Sequence, residues 1–312
     1  MIKWLTRVDY MKNAKYWLYF SIVLSVVSLV AIFALGLNKG IDFAGGLHLD
    51  VQYGSVVTQN QVSDAVQKSI GEAAQVQQTE TKGGNQSAFL VTVPELNAEK
   101  KDAMLKELGT IGTDFKVIGE ENVSGSVSNE LTRNAAIAII VAALLQIIYI
   151  WIRFQFKFGI TAVLALVHDV VITLGLMAIF RIEINAPFVA AILTVLGYSM
   201  NDTVVVIDRI RENLPTRGKH ETVEALATRS IRDVITRSLY TGVSVQIMLL
   251  ALMILGGDTI RDFVTTMFIG ITLGTYSSIF IASALWVYWT NYEEKHAKSS
   301  GKQKGKLKPS KA

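Results

Sequence analysis

Residues 186–207 read APFVAAILTVLGYSMNDTVVVI and contain a single charged side chain, Asp202. About 20 mainly apolar residues in a helix are enough to cross the hydrocarbon core of a bilayer. The stretch therefore predicts a membrane-spanning helix. A carboxylate inside such a helix costs roughly 2.5–3.5 kcal/mol on insertion scales, so Asp202 needs either a partner or a function.

The same pattern recurs along the chain. Of the 312 residues, 51% are hydrophobic and 18% are charged, whereas about a quarter of the residues in soluble domains are charged. This composition excludes a disordered chain and most soluble enzymes. We therefore predict an α-helical polytopic membrane protein with six transmembrane helices. The candidate spans are residues 17–37, 134–152, 158–180, 186–207, 235–255 and 263–289.

Two further counts limit the expected ligands. The chain has no Cys, which excludes disulfides and metal sites made of thiolates. Its formal net charge of +4 is too small to indicate a nucleic-acid partner, and we expect none. The sequence also contains no motif for a cofactor or a metal ion, so neither is predicted.

The placement of Lys and Arg predicts the orientation in the membrane. Basic residues concentrate in cytoplasmic loops and tails, and here they cluster in residues 1–16, in a loop at 208–234 and in a tail at 291–312. We expect all three segments to be cytoplasmic, with residues 38–133 outside. The Lys-rich tail is expected to contact anionic lipid headgroups, although the positive-inside rule alone would also account for it.

Residues 38–133 have the composition of a soluble domain. Apolar and polar residues alternate over 48–53, which predicts a half-buried strand. Further strands are predicted at 75–79, 87–93 and 115–118, and helices at 60–70 and 97–108. The order βαββαβ predicts one small α+β domain of the ferredoxin-like type. We find no catalytic grouping in it and interpret it as a docking or substrate-contacting module.

Three ionisable residues in the spans are candidates for proton relay: Asp169, Asp202 and Arg237. Asp169 lies near the middle of the third span, directly after His168. Adjacent positions on a helix do not face each other, so these two side chains need not form a pair. Asp169 could instead be a protonated residue that packs helices together, with His168 as polar support for those contacts.

Asp202 follows three small or polar residues, Gly197, Ser199 and Asn201. Glycine permits close approach of helices, and Ser and Asn supply hydrogen bonds across the interface. If Arg237 faces Asp202, its cation favours the charged carboxylate, and separation of the pair would allow proton uptake. The alternatives are a structural Asp202 and an Arg237 that extends to the headgroups.

Several strings in the sequence match a known family. The chain resembles the SecF subunits of the bacterial SecD/SecF family, in the RND superfamily. The match covers both ends and most of the membrane portion, in order. The outer segment matches in position and predicted topology more than in sequence. The matching strings are IDFAGG at 41–46, VHDVVITLG at 167–175, GYSMNDT at 197–203, DRIREN at 208–213, TRS at 236–238 and GTYSSI at 274–279.

The resemblance implies a protein-export function in the bacterial cytoplasmic membrane. It implies pairing with SecD and cooperation with the SecYEG channel, the SecA motor and YajC, acting on unfolded secreted preproteins. The proton motive force would drive a late step of translocation. On the family pattern Asp202 is the proton-carrying carboxylate and Arg237 is its partner, with a further Asp supplied by SecD.

Other functions fit parts of the sequence. An RND-type proton-driven exporter of lipids or small molecules would carry similar carboxylates, but normally on two six-span repeats. A structural scaffold for SecD would need no proton chemistry. An intramembrane aspartyl protease could use Asp169 and Asp202 as a dyad, but the string GYSMND differs from the Gly-x-Gly-Asp pattern of that class.

Overall fold

The computed structural model describes residues 8–71, 74–79, 86–257 and 260–305, and only the backbone over 297–305. Within these residues six helices are long and apolar enough to cross a membrane, which confirms the predicted fold class. The elements are α1 Ala14–Leu35, α2 Ile41–Ala44, β1 Gly46–Tyr53, α3 Gln59–Ile70, β2 Gln75–Thr79, β3 Ser87–Val93, α4 Ala98–Leu108, β4 Lys116–Val123, α5 Gly125–Arg153, α6 Phe156–Phe180, α7 Ala186–Asn213, α8 Val223–Leu255, α9 Arg261–Ser277, a π-helical segment Ser278–Ala282 and α10 Ser283–Gly305.

Residues 46–123, which we call the outer domain after the side of the membrane expected for them, have the predicted βαββαβ order. Its antiparallel sheet has the strand order β2-β3-β1-β4, and Leu49 of β1 lies opposite Val91 of β3. The helix α3 begins at a capping box between Thr58 and Gln61, which satisfies two backbone donors at its first turn. The core contains the apolar side chains of one sheet face and of α3 and α4: Leu47, Leu49, Val51, Tyr53, Val62, Val66, Phe89, Val91, Met104 and Leu108.

The membrane bundle is built around α6, α7 and α9. A Cβ on Gly175 of α6 would lie 2.2 Å from the Cβ of Ser28 in α1, so these two helices touch through their backbones. Likewise, a Cβ on Gly274 of α9 would lie 2.8 Å from the Cβ of Ser199 in α7. Small residues permit such close packing in a bilayer, where the hydrophobic effect does not drive helices together.

The predicted loop at 208–234 is mostly helical. The helix α7 continues to Asn213 and α8 begins at Val223, so residues 214–222 alone connect them. The two extensions are stable because they pack on each other: Ile210 and Leu226 are buried, and Asn213 Nδ2 donates to Ser230 Oγ at 3.0 Å.

Two other helices extend beyond the predicted spans. The helix α5 begins at Gly125, nine residues before the predicted start of its span, and its added turns belong to the predicted outer segment. The helix α10 continues to Gly305, within the predicted basic tail 291–312. Residues 306–312 of that tail lie outside the described residues. Apolar length therefore located the spans but not the ends of the helices.

Candidate functional site: a buried carboxylate network

Asp169 lies on α6 at the centre of the bundle and is fully buried. Its Oδ2 atom accepts two hydrogen bonds, one from Ser199 Oγ of α7 at 2.5 Å and one from Ser277 Oγ of α9 at 2.7 Å. The carboxyl group therefore joins the three central helices. Ser199, expected to support Asp202, contacts Asp169 instead.

His168 contacts the carboxyl group next to it in the sequence. Its Nδ1 atom lies 3.0 Å from Asp169 Oδ1. The expectation that the two side chains need not pair was based on their angular separation around the helix. It overlooked that an imidazole ring can fold back along the helix surface to reach the neighbouring carboxyl group.

Asp202 lies on α7, and only 8% of its surface is exposed. Its Oδ2 atom accepts a hydrogen bond from Ser278 Oγ at 2.5 Å. Ser278 is the first residue of the π-helical segment, and it directly follows Ser277. Consecutive hydroxyl groups at this point thus reach two different carboxyl groups, one on α6 and one on α7. Such π-helical turns are rare and are frequently found at functional sites.

The two serines were missed as site residues. In the sequence Ser277 and Ser278 appear in a run of small residues, GTYSSIFIAS, that predicts tight helix packing. The available signal was the hydroxyl groups themselves, because a polar group inside a span requires a hydrogen-bond partner. Their partners could not be identified without the helix arrangement.

Arg237 is not paired with Asp202. Its side chain is exposed on α8, and among the described residues neither Asp169 nor Asp202 forms an ion pair with Lys or Arg. The structure therefore does not bring together the pair that was considered from the sequence. Within this chain, the carboxyl groups are held by hydroxyl groups and one imidazole.

Gly197 and Asn201 lie on the face of α7 that points away from the other helices of this chain. Both are exposed, and a Cβ on Gly197 would have no atom within 4 Å. With Ala190 and Thr194 they form a stripe of small and polar residues, which we call the α7 stripe, at the spacing of a helix face. Such stripes are typical of contacts between transmembrane helices, and among the described residues no other helix covers this one.

Hydroxyl partners suit a carboxyl group with or without its proton. A hydroxyl group can both donate and accept a hydrogen bond, so Ser277 and Ser278 can contact a carboxyl group in either protonation state. Among the described residues, no group of three His, Asp or Glu side chains could hold a metal ion.

Comparison with known proteins identifies the family. Residues 103–292 match the model for the protein export membrane protein SecD/SecF, C-terminal region, and residues 30–55 match the SecD/SecF GG motif. The protein translocase subunit SecF of Sebaldella termitidis is 36% identical over 275 residues, covering 88% of this chain and 89% of the relative. The SecF subunit of Petrotoga mobilis is 35% identical over 301 residues, covering 94% and 99%.

Longer relatives contain this chain as one part. The protein translocase subunit SecDF of Thermus thermophilus is 35% identical over 91% of this chain, which spans 39% of that relative. Its crystal structure superposes with a TM-score of 0.81 at 34% identity and again covers 91% and 39%. A second crystal structure of SecDF, in a super-membrane-facing form, gives a TM-score of 0.71. The chain therefore spans about two fifths of the SecDF chains.

Proposed function

The chain belongs to the SecD/SecF family of protein-export membrane proteins, and from this premise we propose that proton movement at Asp202 drives its part in export. The protein is a multi-pass membrane protein and a subunit of the Sec protein-export machinery. The proposal adds the energy source and the residues that use it. We assign the machinery to the bacterial cytoplasmic membrane, with both termini inside and residues 38–133 outside.

The observation that carries the proposal is the chain of contacts from Asp169 through Ser277 and Ser278 to Asp202. A change of charge at either carboxyl group alters hydrogen bonds that hold α6, α7 and α9 together. One elementary charge that crosses 100 mV supplies about 2.3 kcal/mol. That is enough to shift a helix packing with two states, since coupling free energies of 1–3 kcal/mol are typical of such switches.

We propose that SecD covers the α7 stripe and the adjacent face of α8. Support comes from the exposed Gly197 and Asn201, from the exposed cation of Arg237, and from relatives whose single SecDF chain is more than twice as long. A cation exposed inside a span is costly unless another protein buries or pairs it. SecD would supply an acidic side chain near Arg237.

The wider assembly follows from the family. We propose that the complex with SecD works with SecYEG, SecA and YajC and that unfolded preproteins are its substrate on the outer side. The basic tail would contact anionic lipids at the inner surface.

A structural scaffold for SecD is the second candidate, because the exposed stripe on α7 suits a helix contact without any proton chemistry. The two functions differ at Asp202. A relay needs a group that gains and loses a proton, whereas a scaffold needs only a side chain of the same shape. Asn is nearly the same shape as Asp and does not titrate in this range.

The test is the maturation of a pulse-labelled secreted reporter in cells depleted of this protein. The cells are rescued with wild type, with Asp202→Asn, or with Asp64→Asn, a control on the exposed surface of α3. We expect rescue by wild type and Asp64→Asn but not by Asp202→Asn, at equal protein levels and equal co-purification of SecD. Equal rescue by all three would favour the scaffold and contradict the relay.

A further inference from the structure

Residues 38–46, here called the junction segment, connect the end of α1 to the first residue of β1. Their backbone is paired with the connection between α6 and α7. The Ile184 N–H donates to the Asn38 carbonyl at 2.8 Å, and the Gly40 N–H donates to the Ile184 carbonyl at 2.9 Å. These bonds form a short parallel bridge between Lys39 and Ile184. The junction segment is thus attached to the chain just before α7.

Asp42 makes a second contact, with α7 itself. Its Oδ2 atom accepts a hydrogen bond from the Ala186 N–H at 2.7 Å, and Ala186 is the first residue of that helix. The first N–H groups of a helix have no partner within the helix, and negative charge is favoured beside them. Asn185 satisfies a neighbouring donor, the Phe188 N–H, at 3.1 Å. Asp42 therefore holds the outer end of α7 from a different part of the chain.

The other end of the junction segment enters the sheet without a spacer. Gly45 and Gly46 have φ angles of 73° and 139°, which residues with a side chain rarely adopt. A Cβ on Gly46 would lie 2.5 Å from the carbonyl oxygen of Val93 in β3. The next residues form β1, which pairs with β3 on one side and β4 on the other. A displacement of the junction segment would therefore move the middle of the sheet.

The helix α7 connects the contact between Asp42 and Ala186 to the carboxylate network. Asp202 follows Ala186 by 16 residues, which corresponds to about 24 Å along a helix at 1.5 Å per residue. All of these residues belong to the single helix α7. A shift of α7 at Asp202 would therefore reach Ala186, and with it the carboxylate of Asp42.

We propose that the junction segment is a rigid strut that transmits movement of α7 to the outer domain, with Asp42 as the positioning residue at the contact. The proposal rests on the proposed function, because it requires α7 to respond to the protonation state of Asp202. The proposal also gives a role to the GG motif. Its two glycines, Gly45 and Gly46, let the junction segment continue directly into β1.

The first test replaces Asp42 in the full-length protein, expressed with SecD in depleted cells. We expect Asp42→Ala to slow reporter maturation about fivefold, because the Ala186 N–H loses the acceptor that joins α7 to the junction segment. Asp42→Asn keeps an oxygen that can accept the Ala186 hydrogen bond, and it should restore at least half of the lost rate. Asp64→Ala, on the exposed surface of α3, serves as the control and should match wild type.

The second test changes the stiffness of the junction segment and leaves Asp42 and its partner Ala186 in the chain unchanged. Gly-Ser-Gly is inserted after Ala44, between the helix cap and the sheet. The same insertion after Gly71, at the end of α3 where a Cβ would meet no atom within 4 Å, is the control. The first insertion should slow export as much as Asp42→Ala, whereas the second should not. A merely structural role of Asp42 predicts no effect of either insertion.

Asp202→Asn in the same series separates the two proposals. If Asp202→Asn is slow and both Asp42→Ala and the insertion after Ala44 export at the wild-type rate, the strut is wrong and the relay stands. If Asp202→Asn exports at the wild-type rate, the relay is wrong, and the strut is wrong with it. If Asp42→Asn is as slow as Asp42→Ala, the positioning role of the Asp42 hydrogen bond is wrong.

Discussion

The outer domain and the membrane bundle distribute their side chains in opposite ways. The outer domain buries large apolar residues such as Leu49, Val51 and Phe89, each with no exposed surface. The bundle exposes large apolar residues such as Phe33 and Ile254 and buries hydroxyl and carboxyl groups at its centre.

Burial of a side chain has a different energetic meaning in water and in a bilayer. In water, burial of apolar surface is the main driving force of folding, so the core of the outer domain explains its stability. In a bilayer the surrounding lipid is as apolar as leucine, and helices associate through close packing and hydrogen bonds. Stability alone therefore does not account for a buried carboxyl group in the bundle, and its presence points to a function.

Truncation of the outer core should have the largest effect on stability. Leu49→Ala should lower the free energy of unfolding of the outer domain by about 2–5 kcal/mol, because it leaves a cavity in a small core. Hydrogen exchange of β1 and β3 in the purified full-length protein measures this change. Val117→Ala, on the exposed part of β4, should change exchange little. Similar exchange in the two variants would contradict the comparison.

Removal of the acceptor at Asp169 should have a smaller effect on stability. Asp169→Leu leaves the hydroxyl groups of Ser199 and Ser277 without their partner, and hydrogen bonds in membrane bundles contribute about 0.6–1.7 kcal/mol each. Unfolding of the bundle in mixed detergent measures the loss.

Asp169→Asn is the matched variant, since an amide oxygen can accept both hydrogen bonds. It should keep the stability of wild type and still fail to support export. Export at the wild-type rate would show that Asp169 acts only in helix packing.

Loss of the Ser278 hydroxyl group should have a modest effect on the rate of export. Ser278→Ala removes the hydrogen bond to Asp202, and we expect export to slow about threefold, which corresponds to about 0.6 kcal/mol. Ser244→Ala, on the exposed side of α8, is the control. Because Asp202 itself remains, a complete loss of export in Ser278→Ala would contradict the assignment of Ser278 as a supporting residue.

The effect of Glu183 on stability should appear as a dependence on pH. Burial raises the pKa of its carboxyl group from 4.5 to about 7, and the negative charges of Asp262, Asp42 and Glu121 add to the shift. The folded state then binds the proton more tightly than the unfolded state. Stability should therefore fall as the pH rises from about 4.5 to about 7, and the full loss should be present above pH 7.

Glu183→Gln should remove this dependence. The melting temperature of the variant should equal that of wild type at pH 4.5 and exceed it at pH 8, with Glu130→Gln as an exposed control. An equal decrease of wild type and Glu183→Gln between these pH values would assign the dependence to other groups.

The sequence predicted the fold far better than the site. Alternation of period two located β1, and apolar length located all six spans, because both patterns reflect local geometry. The network escaped prediction because Ser277 and Ser278 meet Asp169 and Asp202 across helices far apart in sequence. The contacts expected for Gly197, Asn201 and Arg237 are absent among the residues that the structure describes, since these three residues are exposed.

The central claim is that Asp202 carries protons that drive export. Its most direct test is translocation of a labelled preprotein into inverted membrane vesicles, with ATP alone and with ATP plus an imposed proton gradient. We predict that Asp202→Asn keeps the ATP-dependent part and loses the stimulation by the gradient, whereas wild type and Asp64→Asn retain both. Undiminished stimulation by the gradient in Asp202→Asn would contradict the claim.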